Sequence, residues 1–460
     1  MTDFCRGAKN LRRNARKASN RPELSAIISR ATDHAIQRRS KVIKEIDFPG
    51  ERQKILELRR YATDNIRGLL DRFITSAQAS GITCHIAENA EKAREIVINV
   101  AKSHKVKTVV RSKSMLGEEV GIRTALEHAG MEVTETDLGE YIVQLNHEPP
   151  SHITAPAVHL STRDVGRILY KEAGIGPFER PEDMAESVRQ LMRTRFLNAD
   201  MGLAGANALI AQTGAMLMMS NEGNIRMVTG LPDLLVVLVS VDKLVAGVRD
   251  LAPLIRVIPK NATGQRITNY CTLLTRPRQG QEMHIVIVDN NRIAVTKNPV
   301  FEQAIRCVRC AACINVCPVF RTIGGHAYGT VYVGPMGIVL TNALGLDAHA
   351  ERLADACTLC DACAEVCPAG IDLPGLILRI RAEAGQGLME RIKAGLVGVI
   401  YAGGRRFNTV FRILRGLKQL FTGLYRRVWR GVGWQGQRGV PQVADRSFDE
   451  LWKGKDADRD

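Results

Sequence analysis

Eight of the eleven cysteines in this chain fall into two runs of one pattern. The first, CVRCAACINVCP, sets Cys307, Cys310, Cys313 and Cys317 ahead of Pro318. The second, CTLCDACAEVCP, sets Cys357, Cys360, Cys363 and Cys367 ahead of Pro368, and thirty-nine residues separate Cys317 from Cys357. Thiols at this density hold zinc, pair as disulfides or ligate iron-sulfur clusters. Zinc ribbons use paired C-x2-C knuckles and have no use for a third cysteine at the same interval followed by a fourth and a proline. Disulfide frameworks staple small secreted domains, whereas this chain has 460 residues and an N-terminus, MTDFCRGAKNLRRNARKASNRPELSAI, that is basic without an apolar leader core.

The remaining chemistry is iron-sulfur, and C-x2-C-x2-C-x3-C-P is the run of two-cluster ferredoxins. A short loop around a cubane offers three thiolates at intervals of three residues. The fourth cysteine lies too far along the chain, where the proline starts a helix leading away, and it ligates the other cluster. The expectation is therefore crossed ligation of two 4Fe-4S clusters. Cys307, Cys310, Cys313 and Cys367 hold one, and Cys357, Cys360, Cys363 and Cys317 hold the other. Cys5, Cys84 and Cys271 are scattered and read as ordinary thiols.

The stretch between the runs, FRTIGGHAYGTVYVGPMGIVL, is rich in glycine and carries His326, Tyr328 and Tyr332. Its glycines either let backbone amides reach cluster sulfurs and tune their potential, or serve a tight loop that needs positive φ. His326 reads as a packed or hydrogen-bonded imidazole ahead of a cluster-related group.

Some 300 residues precede the first run, and their patterning shows what must position it. Residues 1 to about 90 space apolar side chains three and four apart, as helices do. From Ile82 short apolar runs alternate with helical stretches: VKTVVRS, MEVTETD, ANALIAQ, AMLMMS and LPDLLVVLVSVDKLV read as strands, and SKSMLGEEVGIRTALEHAG as a helix ending at Gly130. That alternation predicts an α/β domain with a largely parallel sheet.

Ligands in such domains bind beyond the carboxyl ends of the strands. Arg111 to Ser114, Thr136 to Glu140 and Asn221 to Gly223 fall there. A 2-hydroxy acid needs a cation for its carboxylate and a base for a proton, and Lys113 with Glu140 or Glu222 supplies both. The competing reading is helix capping by the serines and backbone bonding by the acids. No glycine-rich flavin or nicotinamide fingerprint is present to receive a hydride.

The net charge of +16 is concentrated at the ends. Leu376 to Arg438 holds thirteen Lys/Arg against two Asp/Glu, and the first fifty residues hold twelve against five. From Phe407 the apolar residues Phe407, Val410, Phe411, Leu414, Leu417, Phe421, Leu424 and Val428 share one helical face amid arginines, a pattern suited to a partner protein or an anionic membrane surface. No apolar run approaches a membrane span, and the expected compartment is the cytoplasm, with peripheral contact on the inner face of the membrane left open.

The stretches RSKSMLGEEV, ETDLGEYIVQL, PPSHITAPAVH and the whole of RCVRCAACINVCPVFRTIGGHAYGTVYVGPMGIVL, in this order, resemble the lactate utilisation protein B family from about residue 60 to 380, with FDELW near the C-terminus. The resemblance implies a LUD domain, similar to CoA-transferase-like and formyltetrahydrofolate cyclo-ligase-like α/β folds, fused to a mainly α-helical di-cluster ferredoxin domain. The resulting division is a basic helical segment 1–60, the LUD domain 61–297, the ferredoxin-type domain 298–385 and a basic amphipathic region 386–460. It further implies an iron-sulfur subunit of a system oxidising L-lactate to pyruvate, more a redox subunit than a catalyst. Its partners would be a cysteine-rich CCG-domain protein and a stand-alone LUD-domain protein, with a quinone-linked acceptor.

The alternatives are a subunit for another 2-hydroxy acid, a heterodisulfide-reductase-like relay, or, less expected, a nucleic-acid-binding protein with structural clusters. Five positions depart from the family pattern: Ala311 and Asp361 replace the glycine after the second cysteine, Asn207 and Gln212 stand where acids are usual, and Ala215 replaces a hydroxyl residue.

Overall fold

A computed structural model describes residues 6–178 and 180–384 and, beyond these, residues 395, 398–399, 401–403, 406–410, 412–413 and 452. The chain divides into two compact units, Met1–Ala384 and Gly385–Asp460. The expected amphipathic helix from Phe407 and the FDELW stretch lie for the most part outside the described residues, as does Cys5. Among the described residues no helix is long and apolar enough to cross a membrane.

Among the described residues ten strands build two sheets: β1 (Thr83–Ala87), β2 (Thr108–Arg111), β3 (Glu132–Glu135), β4 (Met201–Ala204), β5 (Ala208–Ile210), β6 (Met216–Ser220), β7 (Leu234–Ser240), β8 (Leu244–Val245), β9 (Tyr270–Leu274) and β10 (Glu282–Val288). The larger sheet runs β1-β10-β7-β4-β2-β3 and every pair in it is parallel. β7, LLVVLVS, is buried along its whole length, as a central strand covered on both faces must be. One apolar cluster, with Val110, Leu235 and Ile285, covers one face, and another, with Val109, Val236 and Val286, covers the other.

The smaller sheet runs β8-β5-β6-β9. The run LPDLLVVLVSVDKLV reads as one strand in sequence, but it breaks after Ser240 into a short turn, Val241–Lys243, and resumes as β8 in the other sheet. The break leaves Asp242 and Lys243 between the sheets. The expected helix ending at Gly130 is likewise two, Met115–Val120 and Ile122–His128, parted by Gly121 at φ 67°.

After the LUD-type sheet come short helical turns, of which Gly334–Ala343 and Leu373–Glu383 are the longest. Their core includes Phe320, Tyr328, Ile338 and Ile377, and residues from the chain's start complete it: Ala8, Leu11, Ala18, Ile28 and Ile55. The basic N-terminal helices thus bury an apolar face against the cysteine-rich region, about 300 residues away in sequence.

Candidate functional site

Each cysteine run is a loop whose backbone turns left-handed twice. Arg309 and Ala311 in the first run have φ of 59° and 66°, and Leu359 and Asp361 in the second have 55° and 66°. The turns aim backbone amides at sulfur: Arg309 N–H donates to Cys307 Sγ at 3.4 Å and Leu359 N–H to Cys357 Sγ at 3.3 Å. Cys317 occupies the N-cap position of the helix Pro318–Ile323, and the amides of Val319 and Phe320 at the start of that helix favour its thiolate against the burial that pushes the thiol up to about 11. Amides of Ala369 and Ile371 do the same for Cys367. Met336 N–H, just past Gly334 at φ 70°, favours the Cys313 thiolate, while burial pushes that thiol up.

The left-handed positions explain why glycine is the usual residue after the second cysteine. A side chain there costs about 1–2 kcal/mol, less for Asp, which tolerates this region. Asp361 is exposed, which isolates the backbone effect. Asp361→Val is expected to lower stability by about 1–2 kcal/mol, whereas Asp361→Gly stays within about 1 kcal/mol of the parent. Thermal unfolding of the iron-loaded protein measures both.

Cys307, Cys310, Cys313 and Cys367 line one small cavity. Cys317, Cys357, Cys360 and Cys363 line a second. Around one tetrahedral zinc, with Zn–S near 2.3 Å, sulfurs stand less than about 4 Å apart. Among the described residues neither foursome brings even three sulfurs within 4.8 Å of one another, so neither is gathered as around one zinc. Burial pushes the Cys310 and Cys363 thiols up to about 12, and neighbouring thiols push the same way. Thiols raised this far become thiolates near neutral pH only against bound positive charge, which an iron-sulfur cluster supplies. The residues fit that group.

The first foursome is anchored to the parallel sheet. Asn261, ending the helix Leu251–Ala262, donates Nδ2 to Cys310 Sγ at 3.6 Å and to Val366 O at 2.8 Å, and its Oδ1 accepts from Arg39 Nε at 2.6 Å. Arg309, between Cys307 and Cys310, ion-pairs with Asp242 at 3.2 Å. Asp242 also meets Arg292 Nε at 3.0 Å; Arg292 pairs with Glu119 at 2.6 Å, and Tyr332 Oη donates to Glu119 at 2.6 Å. Burial works against the charge on Asp242, but Arg309, Arg292 and Lys243 outweigh it and hold the carboxyl below the usual range. Arg59, fully enclosed, donates to the carbonyls of Asp242, Leu244 and Ile305.

Beyond the carboxyl ends of β2, β4 and β7 lies a cavity of about 290 Å³. Lys113, Asn207, Asn221, Glu222, Lys243 and Arg309 line it, and so does Cys310. The site proposed for a small acid therefore shares a wall with the first cysteine foursome. Of the three candidates named from sequence, Lys113 and Glu222 face this cavity. Glu140 stands behind it, 3.9 Å from Lys113 Nζ, with burial pushing its carboxyl up to about 8. Lys113 Nζ has no hydrogen-bond partner, and burial with the neighbouring arginines lowers Lys243 to about 8.

Other polar groups at the strand ends serve the fold. Arg111 is consumed by Glu118 and Glu135. Ser114 caps the helix Met115–Val120 and Asp137 the helix Leu138–Leu145. Asn207 accepts Met219 N–H at 2.9 Å, and Gln212 is exposed. Cys84 is half-buried and Cys271 exposed, neither near the foursomes' cavities. Sequence reasoning missed Asn261, Asp242 and Lys243. Asp242 and Lys243 sit in what reads as an unbroken strand, and nothing near Asn261 marks it; Arg309, inside the cysteine run, was the available signal.

Residues 70–298 match the family model described as LUD domain, and residues 303–371 match that described as 4Fe-4S dicluster domain. The chain therefore carries two 4Fe-4S clusters. A Macrococcus caseolyticus protein named Lactate utilization protein B is 37% identical over 394 residues, covering 84% of this chain and 82% of that one. Its Oceanobacillus iheyensis namesake is 41% identical over 72% of this chain and 70% of its own. An Escherichia coli K12 protein, named Uncharacterized electron transport protein YkgF, is 38% identical over 77% of each chain.

Proposed function

The chain belongs to the lactate utilization protein B family, and from that premise we propose that it is the iron-sulfur electron-transfer subunit of a system oxidising L-lactate to pyruvate. Cys307, Cys310, Cys313 and Cys367 would hold one cluster, and Cys317, Cys357, Cys360 and Cys363 the other. When bound, the clusters supply one-electron redox chemistry. The observation that carries the reading is the shared wall: Cys310 faces the same cavity as Lys113, Lys243 and Arg309.

Within that cavity Lys113, with no hydrogen-bond partner of its own, takes the carboxylate of a 2-hydroxy or 2-oxo acid, and Asn207 and Asn221 offer amides to its other oxygens. Asn261 holds the Cys310 sulfur from the side of the LUD domain. Asp242 and Arg292 keep Arg309 in place between Cys307 and Cys310. The partners in this reading are a cysteine-rich CCG-domain protein and a stand-alone LUD-domain protein.

Two measurements test it. Anaerobic EPR of the iron-loaded chain, with lactate and the two partners added stepwise, is expected to show cluster reduction only once the partners are present. Reduction of the lone chain by lactate would instead make the LUD domain catalytic. Lys113→Met is expected to weaken pyruvate or lactate binding at least about tenfold, the scale of a charge-assisted hydrogen bond, with iron content unchanged. Calorimetric titration reads that loss, and a parent chain that binds neither acid removes the pocket from the proposal.

A further inference from the structure

One set of metal-ligating side chains is left over once the cysteines and the strand-end cavity are accounted for. Glu148 and His159 flank the loop after the helix Leu138–Leu145, and His326 lies on the short turn Gly325–Tyr328 between the two cysteine runs. One potential ligand atom from each of the three lies within 4.8 Å of the others, the one such group among the described residues. His159 Nε2 meets Glu148 Oε2 at 2.8 Å, and both side chains are only 9% exposed. The His159 and His326 rings approach edge to face, 4.4 Å between centroids.

The surrounding backbone holds the three in place. Ser151 N–H donates to Pro156 O at 2.9 Å, closing the loop on itself. His152 Nδ1 accepts the amides of Thr154 and Ala155, each at 3.1 Å. Gly325 packs so tightly on this loop that a Cβ there would fall 1.8 Å from Ser151 O. His326 Nε2 donates to Pro149 O at 2.7 Å, the kind of bond to a backbone carbonyl by which proteins orient a metal-bound imidazole through its second nitrogen.

Beside the group is a cavity of about 330 Å³ lined by all three residues and by Ser151. Ser151 is 0% exposed, and its Oγ has no hydrogen-bond partner; His159 Nδ1, also buried, has none. Two buried polar atoms left unsatisfied beside a polar cavity carry a cost that bound water or an ion relieves. Two imidazoles and a carboxylate are the protein ligands of zinc sites that leave a further position to water, and the softer cysteine set is spaced for something else. In the ion-free state the direct His159 Nε2 to Glu148 Oε2 contact takes up the place a metal would hold.

We propose that Glu148, His159 and His326 bind a zinc ion that ties the LUD loop to the segment between the cysteine runs, its remaining coordination open to the cavity. The site is separate from both cysteine foursomes, so its loading is measurable with the clusters intact.

The test uses the full, iron-loaded chain, treated anaerobically with a zinc chelator, dialysed against micromolar zinc and assayed for both metals. The expected result is one zinc per chain with iron unchanged, a zinc absorption edge showing nitrogen and oxygen neighbours without sulfur, and a raised Tm. Glu148→Gln and His159→Asn are each expected to weaken zinc binding at least about tenfold, to retain their iron and to lose the zinc-dependent rise in Tm. Conserved iron content shows that the variants fold. No zinc retained by the parent, zinc retained equally by both variants, or sulfur in the zinc shell would each overturn the proposal.

Discussion

Cys367→Ser is expected to strip iron from the first cysteine run, not from the run in which Cys367 stands. In sequence Cys367 closes the second run, but in space it lines the cavity of Cys307, Cys310 and Cys313. Roughly half of the iron goes, because each cluster accounts for half. Paired substitutions discriminate more sharply, since sites that share a partner are not additive. Cys367→Ser with Cys307→Ser should lose no more iron than either alone, whereas Cys367→Ser with Cys357→Ser should lose nearly all of it. Iron analysis and EPR after anaerobic reconstitution read both. If the second pair loses only half, ligation is not crossed.

Asp242→Asn is expected to cost about 3–5 kcal/mol, the range for removing one partner of a buried ion pair and leaving the other charge uncompensated. Asp242 is fully enclosed and faces two arginines. Arg292 retains Glu119, but among the described ion pairs Arg309 has no second carboxylate. Because Arg309 lies between Cys307 and Cys310, the variant should also release iron from the first run sooner than from the second. Adding Arg309→Met should recover part of the loss, as coupled sites do.

The same residue sets a pH dependence. The carboxyl of Asp242 is held below its unfolded value near 3.9. Its contribution is therefore fully present above about pH 4–5 and fades as pH falls through the folded pKa. Denaturant unfolding between about pH 6 and 3 should show a steeper loss for the parent than for Asp242→Asn, with the gap between the two curves beginning to narrow below about pH 4.

The cysteine region was the most legible part of the chain because its chemistry is written in residue type and interval, which survive without knowledge of tertiary contacts. The parallel sheet was legible too, since the runs that became β2, β3 and β7 alternate with helical stretches as parallel strands do. The break at Val241–Lys243 was not, because VSVDKLV keeps strand composition across the point where the chain changes sheets. At the strand ends, a lysine and acids mark the edge of the sheet where the cavity lies. Which of them faces the cavity depends on burial: Glu140 and Glu222 look alike in sequence, but one is buried behind Lys113 and the other lines the cavity. Asn261 was invisible, because its role comes from Cys310, forty-nine positions later.

The shared core of the N-terminal helices and the cysteine region has a consequence for how the molecule is made. Leu11, Ala18, Ile28 and Ile55 leave the ribosome early, but their apolar partners, Phe320, Tyr328 and Ile377 among them, follow some 300 residues later. At roughly 5–20 residues per second the helices wait tens of seconds with that face uncovered. The parallel sheet can form meanwhile, while the opening segment stays in need of a holder such as a chaperone. The last cysteine run closes the core, and with ligation crossed as proposed it supplies the missing ligands of both sets, so iron loading is expected to follow its synthesis. A chain arrested before Cys357 would expose an oily surface at its beginning as well as an unfinished site at its end.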